Sequence, residues 1–276
     1  QNGEIQYECS EPFARSDYCF TVGGNPFAAE FDFVTDAFPN RESVSIFGET
    51  TYSLTDDTRL ISGLRYTEDE VTACVKNFFF TTCDNLKNSS DETSGRIALE
   101  IDLNEDTMIY GSFTAGYKPG GTNLTYGFEG DNAPAMVYET FEPETVDSME
   151  FGIKSDFYDG RARANVAIFT YDYENLQFQA TDPDVYRGGV ANIPESEMSG
   201  LELELTALVS DNLTLDMNLG FIDSEVSANY EVLDNVLAFG YFFGEEDIRY
   251  SLRENVKGNE LAKTPDFTAD ATLTYD

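Results

Sequence analysis

The side chains with reactive or ligating chemistry are few, and their spacing narrows what they can do. The four cysteines fall into two close pairs, Cys9/Cys19 and Cys74/Cys83. Neither spacing is a CxxC, and the sequence has no His to complete a common zinc set. Four cysteines permit three pairings, and local pairing closes the shortest loops at the lowest entropic cost. The spacing predicts two disulfides, Cys9–Cys19 and Cys74–Cys83, and with them an oxidising compartment. The competing reading is four free thiols in a cytosolic protein. Acidic clusters at Asp182/Asp184 and Glu245-Glu246-Asp247 offer oxygen ligands of the kind calcium takes, without the ordered spacing of a calcium loop. Without His there is no Ser-His-Asp triad. No glycine loop runs into a helix to cradle phosphate. Paired carboxylates are so abundant that they say nothing about glycosidase chemistry. The residues therefore predict neither an enzyme nor a cofactor.

Composition narrows the partners. The chain of 276 residues carries 52 acidic and 16 basic residues, a formal net charge of -36. Nucleic-acid binding by phosphate neutralisation needs Lys and Arg clusters and is excluded. Docking onto an anionic membrane surface by charge is disfavoured for the same reason. The acidity reads either as solubility and salt adaptation or as attraction of cations, including divalent bridging to surface lipid. With 22 Phe and 16 Tyr, the chain is too aromatic to be disordered in bulk. No apolar run reaches the ~18 residues of a spanning helix. Membrane barrels escape that test, because their strands are amphipathic.

The elements that position these residues follow a rhythm of two. Leu201, Leu203, Leu205, Ala207 and Val209 share one face, with Glu202, Glu204 and Thr206 opposite. After the turn Ser210-Asp211-Asn212, Leu213, Leu215, Met217, Leu219 and Phe221 do the same against Thr214, Asp216 and Asn218. Period-two alternation is the signature of a strand with one apolar face. The same pattern predicts strands over 43–54, 58–70, 93–103, 107–118, 144–157, 161–180 and 265–275. Tight acidic turns join them at Thr55-Asp56-Asp57, Asn104-Glu105-Asp106 and Tyr158-Asp159-Gly160, the last with the Asp-Gly preference for positive φ. The remaining connections, 71–92, 119–141, 181–195 and 226–263, read as long loops, as do residues 1–40. The adjacent apolar residues Ile168 and Phe169 predict a bulge or twist.

Nine or so strands with short turns on one side and long loops on the other fit an antiparallel membrane β-barrel better than a sandwich. Strands of roughly 10–14 residues suit a tilted span. Tyr52, Tyr66, Tyr117, Phe157 and Tyr275 sit near strand ends, where aromatic girdles belong. Glu49, Arg65, Glu100, Asp102, Glu150, Lys154, Glu202, Glu204, Asp216 and Asp270 then point inward. Unpaired charges cost too much in a narrow, packed barrel, so a wide one is expected. The alternative is a non-transporting secreted or surface β-protein, an adhesin or interaction module, stabilised by disulfides.

Four phrases carry a resemblance: FGETTYSLTDDTRLISGLRYTEDE (47–70), YGSFTAGYKPGGTN (110–123), SMEFGIKSDFYDGRARANVAIFTYDYENLQ (148–177) and LAKTPDFTADATLTYD (261–276). Over residues 41–276 the chain resembles the barrel of TonB-dependent outer-membrane receptors. The resemblance implies a 22-stranded barrel in a Gram-negative outer membrane, contacting outer-membrane lipid. It implies a plug domain that couples to the TonB complex, and energised uptake of a scarce solute such as a ferric siderophore. About nine strands do not close such a barrel. Plug, TonB box and closing aromatic strand are not recognisable in residues 1–276, so the expectation is an interior portion of a larger receptor, with 1–40 an extracellular loop region. Ligand capture is then expected at the bases of the long loops. Tyr117, Lys118, Asn123, Tyr126 and Phe128 could grip a siderophore or sugar; alternatively Tyr117 is a girdle residue and Gly120-Gly121 simply turns the chain. Arg187 could meet an anionic ligand or pair with a nearby Asp. Tyr241, in Tyr241-Phe242-Phe243, could fold over the mouth or pack within its own loop.

Overall fold

The computed structural model describes residues 36–77, 80–123, 140–182, 187–233 and 253–275. Nine strands form one antiparallel sheet: β1 (Asp36–Ser53), β2 (Thr58–Asn77), β3 (Phe80–Asn104), β4 (Thr107–Lys118), β7 (Glu144–Phe157), β8 (Ala162–Asp182), β9 (Arg187–Ser210), β10 (Leu213–Val226) and β13 (Phe267–Tyr275). Each pairs with its neighbour in the chain, in the order β1-β2-β3-β4-β7-β8-β9-β10-β13. Two short ribbons lie within the long connections: β5 (Gly121–Thr122) with β6 (Thr140–Phe141), and β11 (Glu231–Leu233) with β12 (Arg253–Asn255).

Register turns the alternation into two chemically distinct faces. One rung crosses all nine strands through Tyr52, Leu60, Leu99, Gly111, Phe151, Ile168, Leu201, Phe221 and Phe267. The adjacent rung runs Ser53, Arg59, Glu100, Tyr110, Gly152, Ala167, Glu202, Gly220 and Thr268. A shift of one residue would exchange these faces, so the apolar and charged sets jointly fix the register. The apolar rung enters β1 beside its short turn and leaves β13 at the opposite end. Such a drift is the shear a tilted, closed barrel requires.

The apolar face is not a buried core. Ile46, Leu64, Phe151 and Leu273 are 60–74% exposed, at 74%, 69%, 60% and 66%. A contiguous exposed apolar surface of this kind marks contact with lipid or a partner. Its border is sharp toward the long connections. There acids follow on the same face of five strands: Glu42 beyond Val44, Glu68 beyond Tyr66, Asp147 beyond Met149, Asp172 beyond Thr170 and Glu197 beyond Ser199. Asp147, Asp172, Glu197 and Glu225 stand directly opposite one another on four successive strands.

Three expectations need correction. Residues 71–92 and 181–195 are not loops: β2 and β3 stay paired to Asn77 and Phe80, and β8 and β9 to Asp182 and Arg187. Beyond the acidic border the shielded positions are held by small or polar residues such as Asp69, Ala73, Ala180 and Ala191, so the apolar alternation that marks a strand fades. β1 likewise begins at Asp36, so 36–40 belong to a strand. No bulge occurs at Ile168 and Phe169, which pair in unbroken register. Phe169 simply faces the charged side, where its ring covers Gly200; a Cβ there would sit 2.5 Å from the ring. The turn expectations hold. Tyr158, Asp159 and Gly160 take φ of 54°, 55° and 77°, and Asn104 Oδ1 accepts the Asp106 N–H at 2.9 Å.

Candidate functional site

The charged face is a network of cross-strand pairs. Arg59 donates to Glu100 at 3.0 Å and to both Asp102 oxygens at 2.5 and 2.9 Å. Tyr110 donates to Glu150 at 2.5 Å, with the Lys154 ammonium 5.4 Å from its ring centre. Asn165 meets Glu204, Thr206 meets Asp216 and Asn218 meets Asp270, each within 3.2 Å. The inward charges read from the sequence thus lie on one face, and most have partners. A polar recess of about 710 Å3 opens at the short-turn end between Asp102, Asp106, Lys154, Asp156 and Arg163.

Toward the long connections the same face becomes aromatic. Phe169, Tyr171 and Tyr173 recur every second residue along β8, with ring centres 5.0 and 6.3 Å apart. The ladder ends at an apolar cleft of about 430 Å3 walled by Tyr173, Phe178, Ile193, Met198, Val226 and Leu261. Phe178 stacks edge-on against Tyr230 at 5.7 Å. Its walls are mainly apolar, with Glu260 also in the lining, and suit a ring-bearing group through stacking and burial. Sequence reading passed over Tyr171 and Tyr173 because they look like ordinary strand aromatics. The signal was their phase: they share the face of Glu202, not that of Leu201.

The residues singled out from the sequence have more internal duties than expected. Tyr117 donates to Asp69 at 2.5 Å and lies 3.4 Å from the Ser90 hydroxyl. Asp69 is only 6% exposed and also takes a bond from Arg41 at 3.2 Å. This cluster sits beyond the acidic border of the apolar face. Burial and the Asp69 carboxylate push the Tyr117 phenol up to about 12. Burial alone would raise Asp69, yet hydrogen bonds from Tyr117, Ser43 and Arg41 outweigh it and hold the carboxyl below its usual range. Asn123 is 5% exposed. It donates to the Val190 carbonyl and accepts the Val190 N–H, both at 2.8 Å, as a neighbouring strand would. Lys118 stays largely exposed, 3.5 Å from Glu144. Arg187 opens β9 opposite Asp182. Cys74 is disulfide-bonded on β2, and Cys83 falls in β3 of the same hairpin. Tyr126, Phe128, Tyr241, Cys9, Cys19, Asp184 and the Glu245-Glu246-Asp247 cluster lie outside the described residues. Among the described residues no group of three or more His, Cys, Asp or Glu is placed to hold a metal ion.

Residues 10–276 match the family model described as TonB dependent receptor-like, beta-barrel. The chain belongs to this family. Among curated TonB-dependent relatives, it is 27% identical over 228 residues to the probable TonB-dependent siderophore receptor PiuA of Acinetobacter baumannii, covering 80% of this chain and 29% of that protein. The solved structure of PiuA superposes with a TM-score of 0.65 at 24% identity, over 87% of this chain and 32% of that one. The ferric yersiniabactin uptake receptor FyuA from Yersinia pestis gives 0.63 at 18% identity, again over 87% and 32%. These likenesses carry the fold: an antiparallel sheet that is part of a TonB-dependent receptor barrel. The chain spans less than a third of the length of these relatives.

Proposed function

We propose that this chain forms part of an outer-membrane receptor that takes up a scarce solute such as a ferric siderophore. The observation that carries the reading is the apolar rung unbroken across nine strands, backed by a charged rung one residue away, in a member of the TonB-dependent receptor barrel family. An exposed apolar sheet face beside a charged one fits lipid on one side and a wide aqueous lumen on the other. In this reading the short turns are periplasmic and the long connections extracellular. Residues 36–276 supply barrel wall and its connections, and the segment before them lies outside. Further strands of the full-length protein complete the barrel, and a plug within it relays energy from TonB. The receptor binds and carries; it catalyses nothing. Ligand contact falls to the aromatic strip of Tyr171 and Tyr173 and the mainly apolar cleft beside Phe178, with Lys118 as an exposed cation nearby. Cys74 pairs with Cys83 to brace the β2–β3 tip, and Cys9 with Cys19.

The test uses the intact gene in its own cell. Deletion is expected to abolish uptake of at least one radiolabelled ferric siderophore under iron limitation, and loss of TonB to have the same effect. Unchanged uptake across a panel of hydroxamate, catecholate and mixed siderophores would remove the siderophore assignment. Recovery of the protein in a detergent-free soluble fraction would remove the membrane assignment and favour the secreted alternative.

A further inference from the structure

The hairpin made by β4 and β7 does not end at Lys118. Its last rung is Lys118 opposite Glu144, and β5–β6 resumes with Gly121 opposite Phe141. Counting three residues inward from each member of the first pair gives the second, so the register is unbroken. Pro119 and Pro143 therefore stand at the same rung, directly opposed, and the ladder is interrupted over 119–120 and 142–143. Proline has no N–H to give, so this rung is left without either of its donors.

Side-chain carboxamides from the neighbouring hairpins take over. Gln177 on β8 donates to the Pro119 carbonyl at 2.9 Å and the Glu142 carbonyl at 3.1 Å. Asn192 on β9 donates to the Glu142 carbonyl at 3.0 Å and accepts the Glu142 N–H at 2.8 Å. Asn88 on β3 donates to the Phe141 carbonyl at 3.2 Å. In return Asn123, just past β5, bonds both backbone groups of Val190 on β9. The ribbon is packed closely as well: a Cβ on Gly120 would lie 2.5 Å from the Phe141 carbonyl oxygen, and one on Gly189 3.1 Å from the Asn123 carboxamide.

We propose that Pro119 and Pro143 form a hinge and that Asn88, Asn123, Gln177 and Asn192 form a carboxamide latch, so that the β5–β6 ribbon detaches from the wall as a unit while β4–β7 stays paired. Two consequences follow from the chemistry. All four latch groups are uncharged and do not titrate near neutrality, so latching is insensitive to pH and only weakly sensitive to salt. The ribbon is attached by side chains, whose rotamers can turn away, whereas the stalk is attached by a continuous backbone ladder. Local opening at the ribbon is therefore cheaper than opening of the stalk.

Hydrogen exchange on the full-length protein in detergent tests this directly. In the unaltered protein the amides of Phe141, Glu142 and Val190 are expected to exchange at least about tenfold faster than those of Tyr110–Ala115, after correction for intrinsic rates. Protection equal to that of β4 would overturn the hinge. Replacing Asn192→Ala is expected to speed exchange at Glu142 by about tenfold, the effect of losing two hydrogen bonds, with β4–β7 unchanged. Acceleration spreading evenly down β4 and β7 would overturn the proposal, because ribbon and stalk would then open together. Should Asn192→Ala fail to fold, Asn192→Asp keeps the acceptor and loses the donor, and the same comparison applies. A corrected rate at Glu142 that changes severalfold between pH 6 and pH 8 would overturn the neutral latch.

Discussion

Asp69 and Tyr117 join β2 to β4 through one part-buried hydrogen bond, and their titration follows from it. Asp69 titrates lower in the folded chain than in the unfolded one. Its contribution to stability is therefore full above the unfolded carboxylate value of about 4 and is lost as pH falls through the lower folded value. Tyr117 is raised to about 12, so its contribution is full below the unfolded value of about 10 and is lost as pH rises through the folded one. Thermal unfolding in detergent should thus decline more gently below pH 4 for Asp69→Asn than for the parent. Parallel slopes would show that Asp69 carries none of the acid sensitivity. Glycines at this scale differ by what surrounds them. Gly120→Ala places a Cβ 2.5 Å from the Phe141 carbonyl oxygen and is expected to cost about 1–3 kcal/mol. Gly48→Ala meets nothing within 4 Å and is expected to be neutral or stabilising by up to about 1 kcal/mol. A chemical-denaturation comparison of the two variants checks both.

Single strands carry two further effects. Phe169 is 7% exposed and covers Gly200 on the next strand, so Phe169→Ala opens a cavity in the wall. The expected loss is about 3 kcal/mol, read as a lowered unfolding midpoint; a change under a third of that would mean that the ring is dispensable. The carboxylate rung Asp147, Asp172, Glu197 and Glu225 works the other way. Like charges directly opposed across strands repel. Glu197→Gln should raise the melting temperature in low salt, and the gain should vanish in molar salt as screening removes the repulsion. A gain independent of salt would point to packing instead.

For the whole molecule, the decisive contrast lies between neighbouring rungs. Phe151 stands on the apolar face and Glu150, one residue away, on the charged one. Phe151→Arg is expected to lower folding stability in lipid bilayers by about 2–4 kcal/mol, while Glu150→Gln, which keeps an acceptor for Tyr110, changes it far less. Similar small effects from both substitutions would mean that the apolar face never meets lipid. Much of this architecture was legible in advance. Leu201 to Val209 against Glu202 to Thr206 marks a two-faced strand without any coordinates, and the Tyr158-Asp159-Gly160 turn announces its own backbone. The extended hairpins around Cys74 and Arg187 were not legible, because their shielded positions carry small or polar residues such as Asp69, Ala73 and Ala191 and so show no apolar alternation.

The amino-acid order by itself determined which residues share a face, where the tight turns fall and which family the repeating hairpins resemble. Those properties depend on neighbours within a few positions, through period-two geometry and turn preferences. The tertiary structure decided what no local rule encodes. It set Pro119 against Pro143 and carried Asn123 to Val190, 67 positions away. It also gathered Tyr171 and Tyr173 beside a cleft closed by Leu261. Each of these rests on register summed across several strands, and register is fixed only when the apolar and charged faces of all nine are matched at once.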